Sequence, residues 1–173
     1  MKALTEPVIR ASFVNCTKGE ASRLTLPRDL SELPWEDLDF LGWRDPGAPQ
    51  RSYIVAEHGG ELVGVALRLA QRTGPAGHGS MCSICLTTHL ASGVSLMTAR
   101  KARRGGGDEE YASAGEYFCS DLACSRYVRG MKRAAASGIR MKESLTTEEK
   151  VARVQANLST FLSKVLDAKV LGV

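Results

Sequence analysis

Cys82-Ser-Ile-Cys85 and Cys119-Ser-Asp-Leu-Ala-Cys124 are the two segments that decide the fold of this chain, and 33 residues separate them. Two pairs of thiols are the ligand set with which Zn²⁺ completes a tetrahedron at Zn–S distances of about 2.3 Å. Four sulfurs leave no position open for water, whereas catalytic zinc keeps one free. Cysteines that only fill a core would not need two closely spaced pairs. The sequence therefore predicts one structural zinc ion, held by Cys82, Cys85, Cys119 and Cys124.

The composition favours one core in a reducing compartment. The 173 residues, 43% of them hydrophobic, supply one core plus an appended unit rather than two large domains. Five cysteines fit four zinc thiolates plus a semi-buried spare, Cys16, better than disulfides. The N-terminus has no apolar signal region and no run is long enough to span a membrane, so we expect a cytoplasmic protein without a membrane partner. A net charge of +4 is compatible with RNA-rich surroundings.

The first half of the chain predicts a short helix followed by a β-meander. Residues 1–37 favour a helix and irregular chain, and residues 38–80 favour three antiparallel strands and a glycine-rich connection. The glycines of His58-Gly-Gly-Glu61 suit a tight hairpin turn. We expect one face of the meander to be apolar and to lie under the C-terminal helix. Its predicted members are Leu41, Trp43, Ile54, Val63 and Val65.

Residues 81–140 predict a zinc unit built from a turn, a hairpin and a helix. Strand signals at 94–99 and 116–118 flank a charged tip that we expect to be solvated. Ser120 is a candidate N-cap for a helix over 121–136, which Gly138 would end. These three elements around one metal form the treble-clef arrangement.

Residues 141–173 predict an amphipathic helix. Thr146-Thr-Glu-Glu149 has the pattern of a capping box, and an apolar stripe spaced three and four apart follows it. The stripe would cover the chain's own β-surface or, alternatively, a partner surface. The predicted class is α+β, with an antiparallel β-meander, a four-cysteine treble-clef zinc finger and this helix in one compact body.

Two segments carry a family resemblance. They are Leu41-Gly-Trp43-Arg-Asp45 and the cysteine region, which runs through Gly93-Val94-Ser-Leu96-Met97 and Tyr117-Phe118-Cys119. Together they resemble the C-terminal treble-clef domain of the FusB/FusC-type elongation-factor-G-binding proteins. The resemblance covers residues 9–130, without the helical N-terminal domain of the resistance proteins.

In that family a four-cysteine zinc site organises a domain that binds elongation factor G on the ribosome and promotes its release. This activity protects translation when fusidic acid traps the factor. The resemblance implies that the four cysteines are zinc ligands and that Gly42, Trp43 and Asp45 belong to the framework. It also implies a non-enzymatic, translation-associated protein that contacts elongation factor G and/or the ribosome and has no small-molecule substrate.

The histidines leave an enzymatic function poorly supported. His89 lies four residues after Cys85, where it would either replace Cys124 as a ligand or orient a thiolate from outside the ligand set. We expect His58 and His78, in glycine-rich loops, to be exposed. The chain lacks the motifs of zinc deaminases, phosphate-binding loops, hydrolases and metalloproteases.

Basic residues after Cys124 predict a binding surface. Arg126, Arg129 and Arg133 recur at three- and four-residue spacing along the predicted helix, and Tyr127 adds an aromatic anchor. We expect these four residues to contact a partner. The same stripe would also suit direct binding of rRNA or another nucleic acid, which is the alternative function. It would equally suit a solvated helix face attracted to a zinc–tetrathiolate cluster with a formal charge of about −2.

Overall fold

A five-stranded antiparallel sheet forms the centre of the structure, a computed structural model that describes residues 1–70, 80–102, 112–134 and 143–166. Its order is β1-β2-β3-β6-β7, and β4 and β5 form a separate hairpin. The strands are β1 (Leu41–Arg44), β2 (Arg51–His58), β3 (Glu61–Leu69), β4 (Ser80–Met81), β5 (Thr88–His89), β6 (Val94–Arg100) and β7 (Ser113–Cys119). The helices are α1 (Glu6–Ala11), α2 (Lys18–Ser22), α3 (Cys124–Val128) and α4 (Thr147–Leu166).

The three-stranded meander is confirmed, and it continues into the cysteine region. Gly59 and Gly60 have φ values of +61° and +83°, the left-handed conformation that a two-residue hairpin turn requires. Strand β3 pairs with β6 through Arg68 opposite Thr98 and through Leu69 opposite Met97. The meander and the β6–β7 hairpin therefore share one antiparallel sheet, which agrees with the predicted α+β class.

The two faces of the sheet carry different apolar clusters. The helix-side core includes Ile54, Val63 and Val65 together with the four cysteines and α4. The N-terminal core includes Leu41 and Trp43 and is covered by the N-terminal segment. The prediction that all five residues lie under the C-terminal helix was thus wrong for Leu41 and Trp43. Leu41 pairs with Val55 and Trp43 with Tyr53, and side chains alternate between faces along a strand, so these residues point away from Ile54.

Helix α4 packs on the chain's own sheet. The amide of Thr146 donates to Glu149 Oε2 at 2.7 Å, and the amide of Glu149 donates to Thr146 Oγ1 at 3.2 Å, which confirms the capping box. The ring of Phe161 meets that of Phe118 edge-on, with centroids 5.2 Å apart. The buried apolar residues of the helix are Val154, Leu158, Phe161, Leu162 and Val165.

Three local predictions were wrong. Helix α3 has five residues instead of the sixteen predicted over 121–136, because Leu122 has a φ of +55° before it and Gly130 a φ of +71° after it. Ser120 is not its N-cap and donates instead to the carbonyl of Ser92 at 2.5 Å. His58 is half-buried rather than exposed, since its ring contacts the hydroxyl groups of two serines of α4.

Some predictions fall outside the described residues: the connection over 71–79 with His78, the hairpin tip at 103–111, and the end of the predicted helix at Gly138. Within the described ranges, no helix is long and apolar enough to cross a membrane.

Candidate metal centre

The backbone brings the four cysteines together from two loops. Cys82 and Cys85 lie in the turn between β4 and β5, where the amide of Leu86 donates to the carbonyl of Cys82 at 2.8 Å. Leu86 itself has a φ of +57°, so the turn closes tightly. Cys119 is the last residue of β7 and Cys124 the first of α3. One short hairpin and one strand-to-helix corner thus each present two sulfurs.

The sulfur atoms have the spacing of a tetrahedral metal site. All four Sγ atoms lie within 4.8 Å of one another, and all four residues are buried. Cys82 Sγ is 3.7 Å from Cys124 Sγ, and Cys85 Sγ is 3.4 Å from Cys119 Sγ. A regular tetrahedron with Zn–S bonds of 2.3 Å has S–S edges of about 3.8 Å. The four cysteines therefore fit one structural zinc ion.

The thiols cannot all ionise together without a cation. Hydrogen bonds from the Cys119 and Cys124 sulfurs lower the pKa of Cys82 and of Cys85. The hydrogen bond with Cys119 is the largest contribution that raises the pKa of Cys124. Some sulfurs thus stay protonated in order to stabilise the others as thiolates. A bound Zn²⁺ removes this conflict, because its charge stabilises all four thiolates at once.

His89 supports a ligand and is not needed to complete the set. Its Nε2 lies 3.2 Å from Cys119 Sγ, and the residue is 5% exposed. The ring of Tyr127 meets the imidazole edge-on at 4.8 Å, and the Tyr127 hydroxyl donates to Asp121 Oδ2 at 2.9 Å. Of the two interpretations of His89, the structure favours the one in which it orients a thiolate.

Helix α4 holds the first cysteine turn through polar contacts that the sequence did not reveal. Asn157 Nδ2 donates to the carbonyls of Ser83 and Ile84, each at 3.1 Å. One turn earlier, Arg153 Nη2 donates to the carbonyl of Cys85 at 3.4 Å and the same guanidinium pairs with Glu143. The only signal in the sequence was the four-residue spacing of these polar residues beside the apolar stripe.

The match to a known protein family agrees with this geometry. Residues 8–165 match the family of the FBP C-terminal treble-clef zinc-finger. The chain belongs to this family. No curated protein matches the chain. Among solved structures it is similar to the fusidic acid resistance protein FusC, with 16% identity and a TM-score of 0.44 over 87% of this chain. The match covers 57% of the FusC chain.

The Leu41–Asp45 element connects the meander to the treble-clef zinc finger. A Cβ atom on Gly42 would lie 2.8 Å from Leu122 Cβ, in the loop between Cys119 and Cys124, so only glycine allows this approach. Trp43 Nε1 donates to the carbonyl of Thr25 at 2.9 Å. Asp45 accepts from the amide of Gly47 at 2.9 Å and from the Tyr53 hydroxyl at 3.1 Å. The predicted framework residues therefore each have a specific contact.

The four predicted partner contacts occupy different environments around the treble-clef zinc finger. Arg126 is exposed on α3, and Arg133 is exposed beyond the end of that helix. The guanidinium of Arg129 makes two hydrogen bonds to Asp39, at 2.6 and 2.9 Å, and the Asp39 side chain is 2% exposed. Tyr127 is half-buried against His89. The four do not form one stripe along a helix, and their contact with a partner stays a prediction.

Proposed function

We propose that this chain is a zinc-stabilised, translation-associated binding protein that contacts elongation factor G and/or the ribosome. The observation that carries the proposal is the contact of Gly42 with Leu122. It joins the two segments whose sequences resemble the elongation-factor-G-binding family, so both belong to one structural unit. Membership of the FBP C-terminal treble-clef zinc-finger family supports the same function.

The proposed role is binding rather than catalysis. Cys82, Cys119 and Cys124 have no exposed area and Cys85 is 2% exposed, so four sulfurs surround the metal position. Zinc with four protein ligands has no site at which to activate water or a carbonyl group. The metal would instead fix the loops and α3 as a rigid surface, which lowers the entropic cost of binding.

The proposed contact surface comprises Arg126, Met131 and Arg133, supported from beneath by Tyr127 and Arg129. The amide of Met131 donates to the carbonyl of Arg126 at 3.0 Å, which brings these two residues together, and the Met131 side chain is 51% exposed. An exposed apolar side chain among cations suits an acidic protein surface with an apolar pocket. Arg129 holds α3 against Asp39, and Tyr127 packs against His89 beneath the surface.

Affinity capture from a cell lysate, with and without nuclease, tests the proposal. The tagged protein should retain elongation factor G or ribosomes, and capture of the factor should survive nuclease. Loss of all capture after nuclease would favour direct binding of rRNA or another nucleic acid, the alternative function. Absence of both the factor and ribosomes from the untreated sample would contradict the proposal.

A charge-reversal variant locates the contact surface. Arg126→Glu with Arg133→Glu should weaken capture while zinc content stays the same, because both side chains are exposed. Lys18→Glu with Arg28→Glu is the matched control, since it makes the same change in charge at two exposed positions of the N-terminal segment. Equal capture by the two double variants would place the interface elsewhere on the protein.

A further inference from the structure

A second candidate site lies on the sheet face that carries the N-terminal core. A cavity of about 480 Å³ opens there and shares no lining residue with the metal centre. Residues of β2, β3, β6 and β7 form its floor, and residues 15–24 form a wall on one side. The floor includes Arg51, Arg68 and Arg100, and the wall adds Arg23.

The register of the sheet places these arginines next to one another. Arg51 of β2 is directly opposite Arg68 of β3, which is in turn opposite Thr98 of β6. Arg100 lies two residues after Thr98 and therefore points to the same face. Like charges directly opposite each other destabilise a pair of strands. Repulsion between these arginines therefore lowers the stability of the sheet at this position.

The carboxylates in the cavity offset only part of this charge. Glu20 and Asp45 also line it, so four arginines face two carboxylates and the net charge is +2. Glu20 Oε2 accepts from the amide and the hydroxyl of Thr17, at 2.8 and 2.9 Å. Hydrogen bonds from Thr17, followed by the charges of two of the cavity arginines, lower the pKa of Glu20, so this carboxylate already interacts with part of the cluster. The Asp45 carboxylate accepts hydrogen bonds from the amide of Gly47 and from the Tyr53 hydroxyl. Within the described part of the chain, none of the four guanidinium groups is ion-paired with a carboxylate.

We propose that this cavity binds a small oligophosphate, a ligand with two or more linked phosphate groups. Guanidinium groups bind phosphate oxygens in pairs, and two or more phosphates would neutralise the repulsion between neighbouring arginines. The volume is within the range of small-molecule sites. The wall formed by residues 15–24 favours a compact ligand over a continuous nucleic-acid strand. Tyr53, at 2% exposure, offers no ring for stacking a base, so recognition rests on the phosphates.

Calorimetric titration of the zinc-loaded, 173-residue chain tests this site. The probes are pyrophosphate, ADP, GDP, orthophosphate and citrate, at low ionic strength, with the zinc content checked afterwards because phosphates also bind metals. Pyrophosphate should bind with 1:1 stoichiometry and more tightly than orthophosphate or citrate. If ADP or GDP binds more tightly than pyrophosphate, the natural ligand is a nucleotide. If they bind as tightly as pyrophosphate, the site recognises the linked phosphates alone. Both results support the site.

Two matched variants separate this site from general charge effects. Arg68→Gln should weaken pyrophosphate binding by at least about tenfold, since it removes the central guanidinium. The same substitution should raise the melting temperature of the ligand-free protein, because it relieves the repulsion with Arg51. Arg28→Gln makes the same change in charge outside the cavity lining, and it should leave both quantities unchanged.

Several results would overturn the proposal. These are no binding of pyrophosphate or nucleotides at millimolar concentration, equal binding of citrate and pyrophosphate, and equal weakening by the two variants. Binding of an RNA oligonucleotide that Arg68→Gln weakens, without binding of pyrophosphate, would assign the cavity to nucleic acid and reject a small ligand. None of these results bears on capture of elongation factor G, which involves other residues, so the two proposals fail separately.

Discussion

The two faces of the sheet reach stability by different means. On the N-terminal face, the rings of Phe13, Trp43 and Tyr53 pack together, with centroid distances of 5.1 to 6.4 Å. On the other face, the core extends into the cysteine loops, where α3 has five residues and β4 and β5 have two each. Elements this short do not persist without an additional constraint. The metal therefore supplies the constraint in the cysteine loops, whereas the short helices of the N-terminal segment are held by packing against the aromatic cluster of the sheet.

Removal of two zinc ligands should cause the largest difference in stability between the two faces of the sheet. Cys119→Ala with Cys124→Ala should abolish zinc binding and unfold the cysteine loops, because structural zinc contributes on the order of 10 kcal/mol to folding. Zinc analysis and hydrogen exchange measure the result. Amides of β1 and β2 should stay protected longer than those of the cysteine loops. Cys16→Ala is the control and should keep the metal, and unchanged zinc content in the double variant would refute the assignment.

Truncation of one aromatic ring on each face compares the two cores directly. Phe161→Ala and Trp43→Ala should each lower the free energy of unfolding by about 3–5 kcal/mol, since the residues are 0% and 7% exposed. Only Phe161→Ala should accelerate the loss of zinc to a chelator, because Phe161 belongs to the core that contains the cysteines. Faster zinc loss in Trp43→Ala would show that the N-terminal core also stabilises the metal centre, so that the two faces do not act independently. A native melting temperature for that variant would place the ring at the surface.

The ion pair between Arg129 and Asp39 should make the next largest contribution to the free energy of unfolding. Arg129→Met leaves the Asp39 carboxylate buried without its partner, and we expect a loss of about 3 kcal/mol in unfolding free energy. The double variant Arg129→Met with Asp39→Leu should recover much of this loss, because no buried charge remains. Urea denaturation measures both variants. A single variant as stable as the wild type would show that Arg129 is free to act as a direct partner contact.

The N-terminal core should also show a small dependence on alkaline pH. Burial, followed by the hydrogen bond to Asp45, raises the pKa of Tyr53 to about 12, whereas an unfolded tyrosine has a pKa of about 10. The folded state therefore favours the neutral phenol. The resulting stability is fully present below about pH 10 and is lost as the pH rises from about 10 to about 12.

Urea denaturation across this pH range checks the effect. Tyr53→Phe should show a shallower loss of stability than the wild type. Tyr117→Phe, at a ring that is 50% exposed, is the matched control and should keep the wild-type slope. Identical slopes for the two variants would contradict a buried, hydrogen-bonded phenol at position 53.

Features encoded by neighbouring residues could be predicted from the sequence. The cysteine pairs, the turn at Gly59 and Gly60, and the capping box at Thr146 each depend on a few consecutive residues. The length of α3 could not be predicted, because helix propensity over 121–136 competes with the need to bring Cys119 and Cys124 within reach of one metal. Leu122 adopts its left-handed conformation as part of that loop.

Features that depend on distant pairs were beyond the reach of a single sequence. The sequence predicts Arg129 as an exposed partner contact, because nothing in it indicates the ion pair with Asp39, which lies 90 residues away. His58 looked exposed because the serines that contact it belong to α4. The opposite orientations of Trp43 and Ile54 follow from strand register, which alternation within one strand does not determine.

X-ray absorption spectroscopy at the zinc edge tests the central claim most directly. The purified 173-residue chain should show four sulfur neighbours at about 2.3 Å and no nitrogen or oxygen ligand. His89→Ala should leave that spectrum unchanged, because His89 contacts Cys119 from outside the ligand set. A spectrum with three sulfurs and one nitrogen, or one with an oxygen ligand from water, would contradict a closed structural site and would reopen a catalytic role for the metal.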